Sequence, residues 1–160
     1  LGAGGVLLAW LAGAMGRLLA VDTFRNRLAM WRTTWPLVGE HPWLGLGLDA
    51  FYHHYHRRYP GLEEAYSTPH NVVLEFWTRL GLLGLAVAAW LYGAFFAHAG
   101  RLYRRLQEPA ERVLVLGLLG SVLYGLTHGL LDGAFFAPDW ASLFWLAYGL
   151  VGVLGDTPSS

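Results

Sequence analysis

Four long apolar stretches alternate with polar segments along the chain. They cover residues 1–21, 80–98, 113–131 and 140–154, and Arg17 is the only Arg, Lys, Asp or Glu inside them. Because a helix needs about 20 mostly apolar residues to cross a bilayer, the pattern predicts about four transmembrane helices, the last of them short. The predicted connections are a long segment at 22–79, loops at 99–112 and 132–139, and a tail at 155–160. The predicted fold is therefore an all-α membrane protein.

The connections carry different charges, which predicts an orientation. The loop at 99–112 contains four arginines, whereas the loop at 132–139 contains two aspartates and no basic residue. Arg-rich short loops stay in the cytoplasm, so segment 22–79 is predicted to be extracytoplasmic. The chain also opens inside an apolar stretch without an initiator Met, and we expect it to be the C-terminal part of a longer polytopic protein.

The long outer segment has the composition of folded structure, with several Trp, Phe and Tyr residues. Residues 23–35 place Phe24, Leu28, Trp31 and Trp35 at helical spacing, which predicts a partly helical loop with a helix along the membrane surface. The glycines at 45–47 predict a tight backbone turn rather than a nucleotide-binding loop, because neither Gly-rich phosphate fingerprint is present.

The strongest local signal is the segment STPHNVVLEFW at 67–77. Thr68 is a suitable N-cap and Pro69 a suitable first helical residue, so His70 and Asn71 are predicted in the first turn of a helix that continues into the span at 80–98. The N-terminal end of a helix attracts anions and disfavours an imidazolium, which favours a neutral His70 that can act as a general base. The alternative is a capping residue at the membrane interface.

Composition excludes some classes of function. Hydrophobic residues make up 55% of the chain and charged residues 14%, with a net charge of +0, so no basic surface points to nucleic acid. Cys is absent, which excludes thiol nucleophiles and thiolate metal sites. His53, His54 and His56, with His41 nearby, have no spacing typical of zinc ligands, and a solvated Tyr/His-rich loop is the favoured interpretation.

Four further residues are candidates for substrate binding. Arg57 and Arg58 could bind a diphosphate or extend to the lipid head groups. His128 and Asp132 are four residues apart on one helix face, so the carboxylate could orient an imidazole near His70 or close the helix end. Glu75 is interpreted as an acid that complements the helix dipole.

Several runs together resemble the O-antigen ligase/polymerase family. They are RLAMW at 27–31, PWLGLGLDAF at 42–51, HN at 70–71 before LGLLG at 80–84, and THGLLDGAFFAPDWASLFW at 127–145. The resemblance implies a GT-C-type fold and a bacterial inner-membrane glycosyltransferase. Such enzymes transfer a glycan from undecaprenyl diphosphate to an acceptor hydroxyl outside the cytoplasm, without metal or cofactor.

In that family a loop His acts on the acceptor and loop Arg residues bind the donor diphosphate. By motif position His70 matches the His and Arg27 matches an Arg, which makes them the predicted catalytic residues. Asn71, beside His70, is a predicted substrate-binding residue. The acceptor could be a lipid, a glycan or a protein, so ligase, glycan polymerase and protein O-glycosyltransferase remain open. The other alternative is a transporter or flippase fragment, although transporters place polar groups at the membrane midplane, where these spans are apolar.

Overall fold

The computed structural model describes residues 21–60, 68–132, 136 and 138–156 of the chain. These residues form five helices: α1 (Val21–Glu40), α2 (Ala50–Arg58), α3 (Val72–Arg105), α4 (Pro109–Gly129) and α5 (Pro138–Asp156). The described residues contain no strand, which confirms the all-α prediction for this part of the chain. The predicted first span, at 1–21, lies outside the described residues apart from Val21.

Two helices in the described part are long and apolar enough to cross a membrane, namely α3 and α4. They cover the second and third predicted spans, while α5 covers the stretch predicted as the fourth. The number of four spans and the sides of the loops stay predictions.

The loop predicted at 99–112 is wrong in extent, because α3 runs to Arg105 and α4 starts at Pro109. Ala99 and Leu102 are buried in the core, so packing extends α3 beyond its uncharged part. Arginines also favour the last turn of a helix, where they meet the negative end of its dipole. Pro109 suits the first helical position, where its missing N–H costs no hydrogen bond.

A core of buried side chains joins α3, α4 and α5. Phe95 and Ala99 of α3 meet Val115 of α4, and Phe144 and Val151 of α5 complete the cluster. The tilted rings of Tyr92 and Phe144 lie 4.7 Å apart between their centroids. The opposite faces of the same helices remain apolar and exposed, as at Trp90 and Val113, which suits helices surrounded by lipid.

The outer segment has its own small core between α1 and α2. Met30 and Leu37 of α1 pack with Phe51 and Tyr55 of α2. The helix predicted at 23–35 is present within α1, and its side chains at Phe24 and Trp35 are about half exposed, whereas Met30 and Leu37 are buried. The prediction of a solvated Tyr/His-rich loop was wrong, since residues 50–58 form a helix whose buried face is aromatic.

The segment at 42–47 inserts into a break in α3 at Gly81. In an unbroken helix the N–H groups of Leu82 and Leu83 would donate to Thr78 and Arg79. Here Leu82 donates to Pro42 O (2.8 Å) and Leu83 to Trp43 O (3.3 Å). The carbonyls of Thr78 and Arg79 accept instead from Leu46 N (2.6 Å) and Gly47 N (3.1 Å). The inserted backbone thus replaces both lost helical bonds, so these four backbone groups of α3 keep hydrogen-bond partners.

Glycine is required on both sides of this contact. Gly81 has a φ of +69° and Gly45 a φ of +70°, both in the region that favours glycine. A Cβ on Gly81 would lie 2.2 Å from the carbonyl carbon and oxygen of Trp43, and one on Gly45 would lie 2.6 Å from Gly81 N. The turn predicted at 45–47 is shifted: residues 45–47 lie between turns at 42–44 and 48–49, and they bring two backbones together.

Candidate functional site

The start of α3 differs from the prediction. Asn71, not Thr68, caps the helix: its Oδ1 accepts a hydrogen bond from Leu74 N at 3.0 Å. Asn is as good an N-cap as Ser or Asp, and the first helical residue is then Val72. His70 therefore lies just before the helix rather than in its first turn, with a φ of +44°. A positive φ is uncommon for a residue other than Gly, and such backbone conformations cluster at functional sites.

His70 is held by a carboxylate from the end of α4. Its Nδ1 donates to Asp132 Oδ1 at 2.8 Å, with the two side chains 33% and 42% exposed. Because Nδ1 is engaged with the carboxylate, a neutral His70 carries its proton there and leaves Nε2 able to accept another. The predicted proximity of Asp132 to His70 is present, and the contact is direct.

His128 lies on the other side of the same carboxylate. Its Nε2 is 4.0 Å from Asp132 Oδ2, which is beyond hydrogen-bonding distance. The imidazole packs against both Tyr124 and Trp140, with ring centroids 5.8 Å apart in each pair, and these two rings lie 6.3 Å from each other. The backbone N–H of Asp132 also donates to His128 O at 3.0 Å. Asp132 therefore orients His70 and also belongs to the turn that ends α4.

The outer segment reaches the same turn through Arg27 and Asn71. Arg27 Nη1 donates to Leu131 O, and Asn71 Nδ2 donates to Leu130 O at 2.8 Å. Trp31 Nε1 donates to Pro69 O at 2.9 Å, which ties α1 to the residue before His70. Residues that are far apart in sequence thus meet at one site, formed by Arg27, His70, Asn71, His128 and Asp132, and named here the outer polar cluster.

Arg57 and Arg58 are not brought into the outer polar cluster. Arg58 lies at the end of α2 and pairs with Glu40, whose hydrogen bond and charge raise the pKa of the guanidinium. Arg57 is exposed on the same helix end. In the described part of the chain no contact joins either arginine to His70 or Arg27.

Among the described residues, no group of three or more His, Asp and Glu side chains is arranged to hold a metal ion. His41 and His54 do approach each other, with ring centroids 6.0 Å apart. His56 is instead turned back on its own helix, where Nδ1 contacts Tyr52 O at 2.9 Å.

A second ionic group lies one turn into α3, and sequence reasoning missed its importance. Glu75 is 1% exposed and its Oε1 lies 3.2 Å from Arg79 Nη2. The spacing of four residues is the one signal in the sequence that could have indicated the pair. The contacts of Arg79 with Leu48 O and Asp49 join this pair to residues just before α2, which local patterns do not encode.

A largely apolar cavity of about 360 Å³ lies between α3, α4 and α5. Val122 and Gly125 of α4 line it together with Leu143 and Phe144 of α5. His128, Tyr124 and Trp140 also belong to the wall, so the cavity adjoins the outer polar cluster. The arrangement places an apolar space between the three helices next to the polar side chains of the outer polar cluster.

Comparison with known families gives one match: the family model described as O-antigen ligase covers residues 2–89. The matched region includes Arg27, His70 and Asn71 but ends before His128 and Asp132. No curated protein matches the chain.

Proposed function

The chain belongs to the O-antigen ligase family of membrane glycosyltransferases, and on that premise we propose that it transfers a glycan from undecaprenyl diphosphate to an acceptor hydroxyl. The observation that carries the proposal is the hydrogen bond between His70 Nδ1 and Asp132. This contact presents Nε2 of His70 as a base on a residue that the family match includes. The acceptor hydroxyl belongs to a lipid, a glycan or a protein.

In the proposed reaction His70 Nε2 removes the proton of the acceptor hydroxyl. The acceptor oxygen forms a bond with the anomeric carbon while the bond from that carbon to the diphosphate oxygen breaks. The diphosphate leaves with the electron pair, and a single displacement inverts the configuration. Asp132 stabilises the imidazolium that forms, as a carboxylate does for a histidine base in other enzymes. No metal or cofactor takes part in this proposal.

Arg27 is proposed to bind the donor diphosphate. A guanidinium has five N–H donors in a planar fork that matches phosphate oxygens, and the contact with Leu131 O occupies one terminal nitrogen. That contact also holds the side chain beside Asp132. Asn71 was expected to bind substrate, but its side-chain Nδ2 and Oδ1 both form hydrogen bonds with backbone groups. We therefore assign Asn71 to positioning His70 rather than to binding substrate.

The cavity between α3, α4 and α5 supports a lipid-linked donor. Its wall is mostly apolar, and it adjoins His128 at the polar end, so a prenyl chain could lie there with its diphosphate at the cluster. The reaction is proposed to take place on the extracytoplasmic side of the bacterial inner membrane, since the arginines around residue 106 favour the cytoplasm. Labelling of a Cys at residue 106 by an impermeant reagent in intact cells would contradict this orientation.

The test is transfer from undecaprenyl-diphosphate glycan by the full-length protein in reconstituted membranes. His70→Ala should lower the rate by about 10²–10⁴-fold, the usual contribution of a general base, while donor binding stays nearly intact. Arg27→Lys keeps the charge but loses the fork, so it should weaken donor binding and leave residual transfer.

Two outcomes would contradict the assignment. If His70→Ala transfers at the rate of the unaltered protein, His70 is not the base and has only a structural role before the start of α3. If His70→Ala abolishes donor binding, His70 belongs to the diphosphate site, and His128 becomes the next candidate for the base. Arg32→Lys is the matched control for Arg27→Lys, because Arg32 is exposed on the same helix.

A further inference from the structure

The guanidinium of Arg79 joins three separate parts of the fold. It donates to Leu48 O, lies 3.6 Å from Asp49 Oδ1 just before α2, and pairs with Glu75 on its own helix. Its Cζ also lies 4.7 Å from the ring centroid of Phe136, within the range of a cation–π contact. Only 14% of the side chain is exposed, so these contacts fix it in place.

Phe136 connects Arg79 to the outer polar cluster. It lies four residues after Asp132, in the connection between α4 and α5. Its ring packs on Phe76 with centroids 4.8 Å apart, beside the small apolar group formed by Val72, Phe76 and Ala88. Arg79 and Phe76 thus hold Phe136 against α3, four residues after the carboxylate that orients His70.

Glu75 is the acidic partner that compensates the charge of the largely buried Arg79. It is almost fully buried, and its Oε1 lies 3.2 Å from Arg79 Nη2. Its Oε2 and the Nε of Arg79 have no hydrogen-bond partner in the described residues. Removing one member of a buried ion pair leaves an uncompensated charge, whereas removing both is often neutral. Replacing Arg79 alone and replacing both residues therefore separates two effects of Arg79: its compensation of the charge of Glu75 and its contact with Phe136.

We propose that Arg79 is a positioning residue, which holds Phe136 against α3 and so keeps Asp132, four residues earlier in the chain, in contact with His70. The catalytic consequence rests on the proposed function, but the geometry can be tested without it. Glu75 pairs with Arg79 within the protein, and the contact with Arg79 sets the position of Phe136.

The first experiment measures the geometry directly. The chain contains no Cys, so His70→Cys with Asp132→Cys provides a specific pair for a short bifunctional thiol reagent, with the cross-linked peptides identified by mass spectrometry. In the full-length protein in membranes we expect efficient cross-linking, lost on Arg79→Met and also lost in Glu75→Gln/Arg79→Met. Arg101→Met, at an exposed arginine further along α3, should leave the cross-link unchanged.

The second experiment measures transfer in the protein that keeps His70 and Asp132. Arg79→Met should lower kcat by about 10²-fold, the effect of a misplaced catalytic group, with little change in KM for the donor. The double variant Glu75→Gln/Arg79→Met should recover the thermal stability of the protein in detergent without recovering kcat.

The outcomes separate this inference from the proposed function. If the double variant recovers both the cross-link and kcat, Arg79 only balances the charge of Glu75 and the inference is wrong. Retention of the cross-link in Arg79→Met also overturns it. If the cross-link is lost while kcat is unchanged, the positioning is supported and the assignment of His70 as the base fails instead.

Discussion

The break in α3 and the bundle of α3, α4 and α5 are held together by different interactions. At the break, four backbone hydrogen bonds join segment 42–47 to residues 78–83, and glycines allow the close approach. In the bundle, apolar side chains such as Phe95 and Val115 fill the interior, while equally apolar side chains cover the outside. The break therefore depends on backbone geometry at a few positions, whereas the bundle depends on side-chain packing spread over many.

This difference predicts how each region responds to substitution. An interior filled by many side chains loses part of its packing when one is changed. At Gly45 and Gly81 the positive φ disfavours a side chain and the facing backbone leaves no room for a Cβ, so even Ala is disruptive. The outer polar cluster lies between the two regions and depends on both, because His70 comes from the side of the break and Asp132 from the end of α4.

The largest effect is expected from Gly81→Ala. The new Cβ would lie 2.2 Å from the backbone of Trp43, and the alanine would have to adopt a φ of +69°. Segment 42–47 would be displaced, and losing its four hydrogen bonds at about 1 kcal/mol each predicts a loss of about 4 kcal/mol in the free energy of unfolding. Transfer should be abolished. Unfolding of the purified protein in denaturing detergent measures the stability.

The matched control is Gly117→Ala in α4. No atom lies within 4 Å of a Cβ at that position, and Ala is the better helix former by about 1 kcal/mol. This variant should be at least as stable as the unaltered protein. Equal stability losses for the two variants would remove the distinction between the break and the bundle.

An intermediate effect is expected from Asp132→Asn, which tests the residue that both regions share. The amide keeps the size of the side chain but cannot stabilise an imidazolium or fix the proton on Nδ1, and loss of the carboxylate from such a pair lowers kcat by up to about 10⁴-fold. Transfer should fall by at least about 10²-fold with the fold retained. Asp139→Asn, at an exposed acid in the first turn of α5, should transfer normally, and equal losses for the two would assign the defect to surface charge.

The smallest effect is expected from Arg58→Ala. The pair of Arg58 with Glu40 is exposed, at 41% and 47% of the two side chains, and exposed ion pairs contribute little to stability. Because Arg58 is tied to Glu40 away from the outer polar cluster, donor affinity and transfer should stay close to those of the unaltered protein. A large rise in KM for the donor would instead make Arg58 a diphosphate ligand, as the sequence allowed.

The sequence predicted the helices of the bundle better than their ends. Apolar runs at 80–98 and 113–131 identify α3 and α4, because lipid-facing and buried positions are both apolar. The same property hides which face packs inside, since Trp90 and Phe95 look alike in a hydrophobic pattern. The extension of α3 to Arg105 follows from the packing of Ala99 and Leu102, which requires knowledge of the neighbouring helices.

In the outer polar cluster, the sequence indicated candidate residues but not their geometry, and the roles of these residues stay predictions. His70, Arg27 and the His128–Asp132 spacing could be recognised, and the structure places all four at one turn. The cap at Thr68 was wrong because Asn71 competes for the same function and is the residue bonded to Leu74 N. The importance of Arg79 could not be predicted, because its contacts with Leu48 and Phe136 join residues that are distant in sequence.

The inserted backbone at Gly81 also has a consequence for biogenesis. Residues 42–47 precede Gly81 in the chain, so the ribosome makes their carbonyls and N–H groups before the groups in α3 that they bond. When residues 78–83 emerge, the partners that replace their two missing helical bonds have already been synthesised. A truncated chain that began after residue 48 would leave four backbone groups of α3 without these partners, at a step when the membrane offers no water to replace them.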